Sequence, residues 1–371
     1  MSRRGRVGWH GRTGQAAGLV GARCAVNPRE VTVGIGVIGI GVRGRHAHEH
    51  LLAEHPAAKV RAVAQYPNVT PELLEGRGRD SWEKHAARFS VKLTDDYREV
   101  LARDDVHVIS LMTEPSLTAK YVEEAAAAGK HIFLDKPMAT TMEDSERIVR
   151  AVEASGVTLM VAFNYRYAFP YREMKRRIDA GEIGDLRIVS VDVCLNKGPL
   201  PEFTASESYR NAFGGGEVAN FGCYAADLLL WLTGSQPRSV FATMATRFYE
   251  DYRATGMEDI GQISVKMENG AIGNILTGRT TTQSPWPIEA VEVVGTRGFL
   301  RATPNCTFRI EGKQVLETAY GTNRVQWMAF DFIDAVLEGR PSPVSEHDGL
   351  AAVQLIAAAY GSAETGEPIY L

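Results

Sequence analysis

The chain is poor in cysteine and in net charge, and it has no long apolar run. Its four cysteines, Cys24, Cys194, Cys223 and Cys306, are scattered over 371 residues. None forms a Cys-x-x-Cys pair, which excludes zinc-ribbon and thioredoxin-type chemistry. Thiols this sparse are expected to stay reduced, so the expected compartment is the cytoplasm. The net charge of −4 gives the whole molecule no basic footprint for nucleic acid. No apolar run reaches the roughly 18 residues that a membrane-spanning helix needs, so neither nucleic acid nor membrane is an expected partner. Histidine is absent between positions 132 and 346, and acid–base chemistry in that stretch has to use other side chains. His46, His48 and His50 are close in sequence, but only the first and last share a helix face, and no third ligand accompanies them. No metal site is expected.

Hydrophobic residues make up 44% of the chain and charged residues 23%, as in an ordinary globular protein. At about 100–200 residues per domain, two domains are expected. Charge is unevenly spread. Residues 1–30 carry six arginines and a single acid, Glu30, whereas the rest carries 35 basic and 44 acidic residues. This first stretch is Gly-rich and lacks amphipathic periodicity, so it reads as a disordered tail. Arg3-Arg4 suits an export signal, but Gln15, Arg23 and several glycines interrupt the apolar stretch such a signal requires.

From Val31 the pattern becomes regular. Apolar, β-branched runs at Val31–Ile38, Val60–Ala64, Val106–Met112, His131–Leu134 and Thr158–Phe163 alternate with helical stretches, and a further short strand–helix unit lies near Val91–Ala102. Strand alternating with helix predicts a doubly wound parallel sheet, an α/β unit of the Rossmann type, over residues 31–164. Residues 165–371 read differently. A helix near Pro170–Ala180 precedes strands of period two at Leu186–Cys194, Ser239–Ala245, Gly261–Met267, Ala271–Leu276, Ala290–Gly295 and Gly298–Ala302. Glu268-Asn269-Gly270 is a turn signal between two of them. Helices are expected at Val218–Leu232, Val325–Leu337 and Gly349–Ala363. This predicts an α+β unit on a mostly antiparallel open sheet.

The first strand runs into Gly39-Ile40-Gly41-Val42-Arg43-Gly44. In a strand–loop–helix frame these glycines allow a tight turn, close approach of a pyrophosphate and close helix packing. The diphosphate would rest on the helix N-terminus. The second strand ends at Gln65 where a carboxylate would usually hold the ribose. Gln65 still offers a weaker hydrogen bond, and no Arg or Lys follows it directly to receive a 2′-phosphate. Arg43 is the nearby cation. The cofactor is therefore NAD or NADP, with a lean to NAD. Tyr171-x-x-x-Lys175 imitates the pair of the short-chain dehydrogenases, but the glycine spacing of that family is absent.

With Thr113 at the end of a strong strand, then "AAAAGKHIFLDKPMA" carrying Asp135-Lys136-Pro137, the chain resembles the Gfo/Idh/MocA family. Asn164-Tyr165-Arg166, Gly181-Glu182-Ile183-Gly184, Gly214-Gly215-Gly216, Gly295-Thr296-Arg297-Gly298 and the closing "YGSAETGEPIYL" fit as well, over residues 31–371. The family has Glu-Lys-Pro where this chain has Asp-Lys-Pro. The resemblance implies an NAD(P)-dependent sugar or cyclitol oxidoreductase that assembles as a dimer or tetramer through the open sheet. It also places Thr113, Asp135, Lys136, Asn164 and Arg166 at the cofactor.

The family pattern after the glycines is Asp-x-x-x-His-x-x-Asp, and here the matching positions hold Asn220, Tyr224 and Asp227. At about 100° per residue the three share one helix face. Asn220 cannot act as a base, and Tyr224 stands where the histidine would relay a proton. A tyrosine, ordinarily near pKa 10, can do this if a lysine ammonium lowers it. Glucose–fructose oxidoreductase-like and dihydrodiol dehydrogenase-like branches carry Tyr at this position. Lys136 and Tyr224 are thus the expected catalytic pair. Asn196, Lys197, Tyr209, Arg210, Asn220 and Asp227 are candidate substrate contacts. Two other functions stay open: redox-assisted elimination or hydrolysis of a glycoside, and a non-catalytic, cofactor-sensing scaffold.

Overall fold

The computed structural model describes residues 33–39, 52–65, 79–196, 210–211, 213–281, 283, 288–304, 306–311, 314–319 and 324–371. The expected N-terminal tail, Ile40 to Gly44, Lys197 and Tyr209 lie outside the described residues.

A six-stranded parallel sheet forms first, from β1 (Val33–Ile38), β2 (Ala58–Ala64), β3 (Leu93–Thr94), β4 (Val108–Leu111), β5 (His131–Leu134) and β6 (Leu159–Val161). Its order is β3-β2-β1-β4-β5-β6. The central strands β1 and β4 are buried along their whole length, as strands covered on both faces must be, and this is why they read as continuous apolar runs. The helix Met142–Ser155 shows how the connections are punctuated. Thr141 caps its start by accepting from Asp144 N, Glu143 and Asp144 sit in its first turn, and Gly156 ends it at φ +68°.

The second sheet has nine strands among the described residues: β7 (Leu186–Leu195), β8 (Pro237–Ala245), β9 (Ile260–Met267), β10 (Ile272–Arg279), β11 (Ile288–Gly295), β12 (Phe299–Thr303), β13 (Cys306–Glu311), β14 (Gln314–Ala319) and β15 (Ile369–Tyr370). Their order is β14-β13-β12-β11-β7-β10-β9-β8-β15, antiparallel except where β7 meets β10. The helices Glu217–Thr233 and Glu346–Thr365 pack on it, while Ile188, Phe241, Ile272 and Ile288 are exposed. The sequence reading missed the β13–β14 hairpin, the two-residue β15 and the short helix Glu250–Ala254.

Two histidines stand side by side where β4 and β5 begin. His107 Nδ1 accepts from Gly34 N at 2.9 Å, and His131 Nδ1 accepts from Thr158 N at 2.9 Å. A ring nitrogen that accepts must be unprotonated. Burial lowers both pKa values, reinforced for His107 by Lys130 and for His131 by His107. Their stabilising contribution is therefore complete above the unfolded value of about 6.5 and is lost as pH falls through the depressed folded values. Urea unfolding between about pH 7.5 and pH 5 is expected to show this loss, and His131→Gln is expected to lessen its slope. An unchanged slope in the variant would sink the assignment.

Candidate active site

The carboxyl ends of the parallel strands are tied together by main-chain bonds. Gly39 N donates to Ala64 O at 3.2 Å, Met112 N to Ile38 O at 3.0 Å, Asp135 N to Leu111 O at 3.1 Å and Ala162 N to Leu134 O at 2.8 Å. Gln65, Thr113, Asp135, Lys136 and Asn164 all follow these strand ends. Ligands of open parallel sheets bind here, where the strand order reverses between β1 and β4. Gly39 leaves β1 at φ +84°, in the left-handed region that glycine enters without cost. Among the described residues, Thr113 Oγ1 and Asn164 Oδ1 are buried with no hydrogen-bond partner. Buried polar atoms are paired as a rule, so these two fit the polar groups of a bound dinucleotide.

Lys136 follows β5 and is buried. Its Nζ donates to Asn220 Oδ1 at 2.6 Å and to the Asn220 main-chain oxygen at 2.7 Å. It also lies 4.9 Å from the Tyr224 ring centre and 5.2 Å from that of Phe221. The structure thus brings Lys136, Asn220 and Tyr224 together. Tyr224 is wedged edge-on against Tyr165, ring centres 5.0 Å apart, and against Phe163 at 6.2 Å. Burial and then Glu289, which accepts from its hydroxyl, push the Tyr165 phenol well above its ordinary pKa.

Asp227 and Arg166 are accounted for by each other. Arg166 Nε donates to Asp227 Oδ2 at 2.9 Å, its NH2 to Asp227 Oδ1 at 2.5 Å, and the same NH2 to Asp348 Oδ1 at 2.8 Å. Burial alone would lower the Arg166 pKa, but Asp227 and then Asp348 outweigh it and raise it. Asn196 follows β7, and Arg210 NH1 donates to Thr255 O at 3.2 Å.

The helix bearing Asn220 and Tyr224 is buried almost all round. Its N-cap is Gly216, which has no side chain to cap with. Instead Glu258 accepts from Gly216 N at 3.3 Å, Val218 N at 2.9 Å and, through its main-chain oxygen, Glu217 N at 3.1 Å. Tyr360 OH accepts from Gly216 N at 3.2 Å and Ala219 N at 3.1 Å while donating to Glu258 Oε1 at 2.6 Å. Burial raises the Glu258 pKa, and the Tyr360 hydrogen bond pulls against it. The glycines make this approach possible. A Cβ on Gly215 would collide with Tyr360 OH, and one on Gly216 would collide with Glu258 O. Tyr360→Phe leaves Ala219 N without that acceptor and is expected to cost about 1–3 kcal/mol, read as a lower urea midpoint. An unchanged midpoint would remove Tyr360 from the cap.

Sequence reasoning missed Glu217, Tyr252, Glu258, Arg279 and Tyr360. One signal was available for Glu217: it is an ionisable residue opening a mostly apolar helix, where charges are expensive unless paired.

Two family models match the chain. One, described as "Oxidoreductase family, NAD-binding Rossmann fold", covers residues 33–163. The other, the GFO/IDH/MocA C-terminal domain, covers residues 171–301. An uncharacterized oxidoreductase, YrbE, of Bacillus subtilis (strain 168) is 26% identical over 350 residues, 90% of this chain and 95% of the relative. The scyllo-inositol 2-dehydrogenase (NAD(+)) of the same strain is 28% identical over 269 residues, 71% of this chain and 72% of the relative. Among solved structures, aldose-aldose oxidoreductase from Caulobacter crescentus complexed with glycerol superposes with a TM-score of 0.78 at 23% identity, over 92% of this chain and 100% of that one. That likeness concerns the fold. The parallel sheet with its glycine turn, the Lys136 strand end, the glycine-led helix and both family models agree: the chain belongs to the Gfo/Idh/MocA family of oxidoreductases.

Proposed function

We propose that the protein oxidises or reduces a secondary alcohol or ketone of a sugar, glycoside or cyclitol with a nicotinamide cofactor. The observation that carries this is the Lys136 ammonium, buried at the mouth of the parallel sheet and held against Asn220 and Tyr224. The dehydrogenase named above, which by its name acts on scyllo-inositol, supports the substrate class.

When bound, the nicotinamide supplies a hydride acceptor at C4. The chain supplies the rest. Lys136 places positive charge where a substrate oxygen would develop negative charge, which favours the alkoxide-like transition state. Tyr224, as the phenolate that the neighbouring ammonium favours, takes the hydroxyl proton as the carbinol carbon gives up its hydride. A C–H bond and an O–H bond break, a carbonyl forms, and one proton leaves.

Residues up to about 164 hold the cofactor in this reading, and those beyond provide the substrate side. NAD is preferred over NADP because Gln65 is not followed by a cation. The exposed Ile188, Phe241, Ile272 and Ile288 of the second sheet make a homodimer or homotetramer the proposed assembly. The buried thiols Cys194 and Cys223, neither of them in a disulfide, agree with a reducing cytoplasm. The deciding experiment follows NAD(P)H absorbance with NAD and NADP separately against aldoses, glycosides and inositols. Turnover of at least one polyol, faster with NAD, is expected. Cofactor binding without turnover of any of them would overturn the proposal.

A further inference from the structure

We propose that Glu217 is a positioning residue whose carboxylate sets the Asn220 amide so that its oxygen, not its nitrogen, faces the Lys136 ammonium. This rests on the reading of Lys136 given above. Glu217 is fully buried in the first turn of the glycine-led helix. Its Oε1 accepts from Arg279 Nε at 2.6 Å and from the Tyr252 hydroxyl, and its Oε2 lies 3.2 Å from Asn220 Nδ2. On the other side of the same amide, Asn220 Oδ1 lies 2.6 Å from Lys136 Nζ.

An ammonium can only donate and a carboxylate can only accept, so the amide between them has one orientation that satisfies both. Glu217 is itself ion-paired with the buried Arg279, so it reaches Lys136 through the polarity of the Asn220 amide and not as its counter-charge.

The polarity of this chain of hydrogen bonds gives a test that size alone would not. In Glu217→Gln, the Arg279 and Tyr252 donors keep the new amide oxygen on their side. Its nitrogen then faces Asn220 Nδ2, donor against donor. Asn220 turns over and presents its NH2 to Lys136, which disfavours the charged lysine. In Asn220→Asp, two buried carboxylates face each other, which is also unfavourable. Combined, the two changes restore the order: the new amide at position 217 donates to the new carboxylate at position 220, and that carboxylate accepts from Lys136.

The experiment compares the full-length chain with E217Q, N220D and the double variant, reading thermal stability and the pH profile of kcat/KM. Each single variant is expected to lose about tenfold or more in kcat/KM and to melt about 4 °C lower. In kcat/KM the double variant is expected to recover to within about threefold, and in stability to recover only the part lost at Asn220, because Arg279 loses its carboxylate in E217Q and in the double variant alike. In E217Q the lysine-dependent limb of the pH profile is expected at lower pH, returning in the double variant. Additive losses in the double variant would overturn the inference, as would recovered stability without recovered turnover. If the unmodified chain turns over no substrate, the proposed function fails separately. The stability cycle then decides alone, recovery supporting the amide orientation and additivity overturning it.

Discussion

Lys136→Met is expected to lower kcat about a thousandfold, with cofactor affinity close to that of the unmodified chain. Met keeps most of the side-chain volume and removes only the ammonium. In the proposed reaction the lost group opposes charge on the reacting oxygen, and such groups act mainly in the transition state, so kcat is expected to fall rather than KM to rise. Tyr224→Phe is the companion. It retains the ring that packs on Tyr165 and Phe163 and the face beneath Lys136, and it deletes the hydroxyl. A loss of about a hundredfold or more is expected at neutral pH. Steady-state NADH formation measures both. A Phe variant as fast as the unmodified chain would mean that the proton leaves by another route.

The largest effect on stability is expected at Arg166. Arg166→Met strands the Asp227 carboxylate, whose side chain has no exposure at all, among apolar neighbours. Removing one partner of a buried ion pair costs about 3–5 kcal/mol, or a fall of about 5 °C in Tm for a chain of this size. Asp348→Asn is expected to cost much less, since Asp348 is 32% exposed and Asp227 continues to neutralise Arg166. Urea unfolding of the two variants side by side is the measurement. Equal midpoints would show that the pair contributes no more than a surface bridge.

The parallel sheet was legible in the sequence because strands covered on both faces are mostly apolar, as β1, β4 and β5 are apart from Ser110 and His131. Lys136 was legible through the Asp135-Lys136-Pro137 motif that resembles the family's, placed at the end of such a strand. The β13–β14 hairpin was missed although Cys306–Glu311 alternates strictly; only its partner, with Val315-Leu316 followed by Glu317-Thr318, breaks the period of two. The two residues of β15 are too few for any period. In the site, helix periodicity grouped positions 220, 224 and 227, but it could not show what faces them. Asp227 meets Arg166 from 61 residues away, and Asp348 joins from 182 residues away. Arg166, expected at the cofactor, is occupied by those two carboxylates. Glu217, which the motif left unread, is the residue that Asn220 touches. Partners brought together by tertiary packing leave no local trace in composition or spacing.

The Arg166 cluster also bears on how the molecule moves. Arg166 follows β6, whereas Asp227 and Asp348 belong to the helices lying on the second sheet, and Val161 N adds a main-chain bond to Val344 O at 3.0 Å. Rotating one layer away from the other would pull a bidentate guanidinium off its carboxylate in a dry interior. At a cost of about 4 kcal/mol, roughly one molecule in a thousand would be open at any moment. The contact between the two sheets thus acts as a latch that is closed almost all of the time.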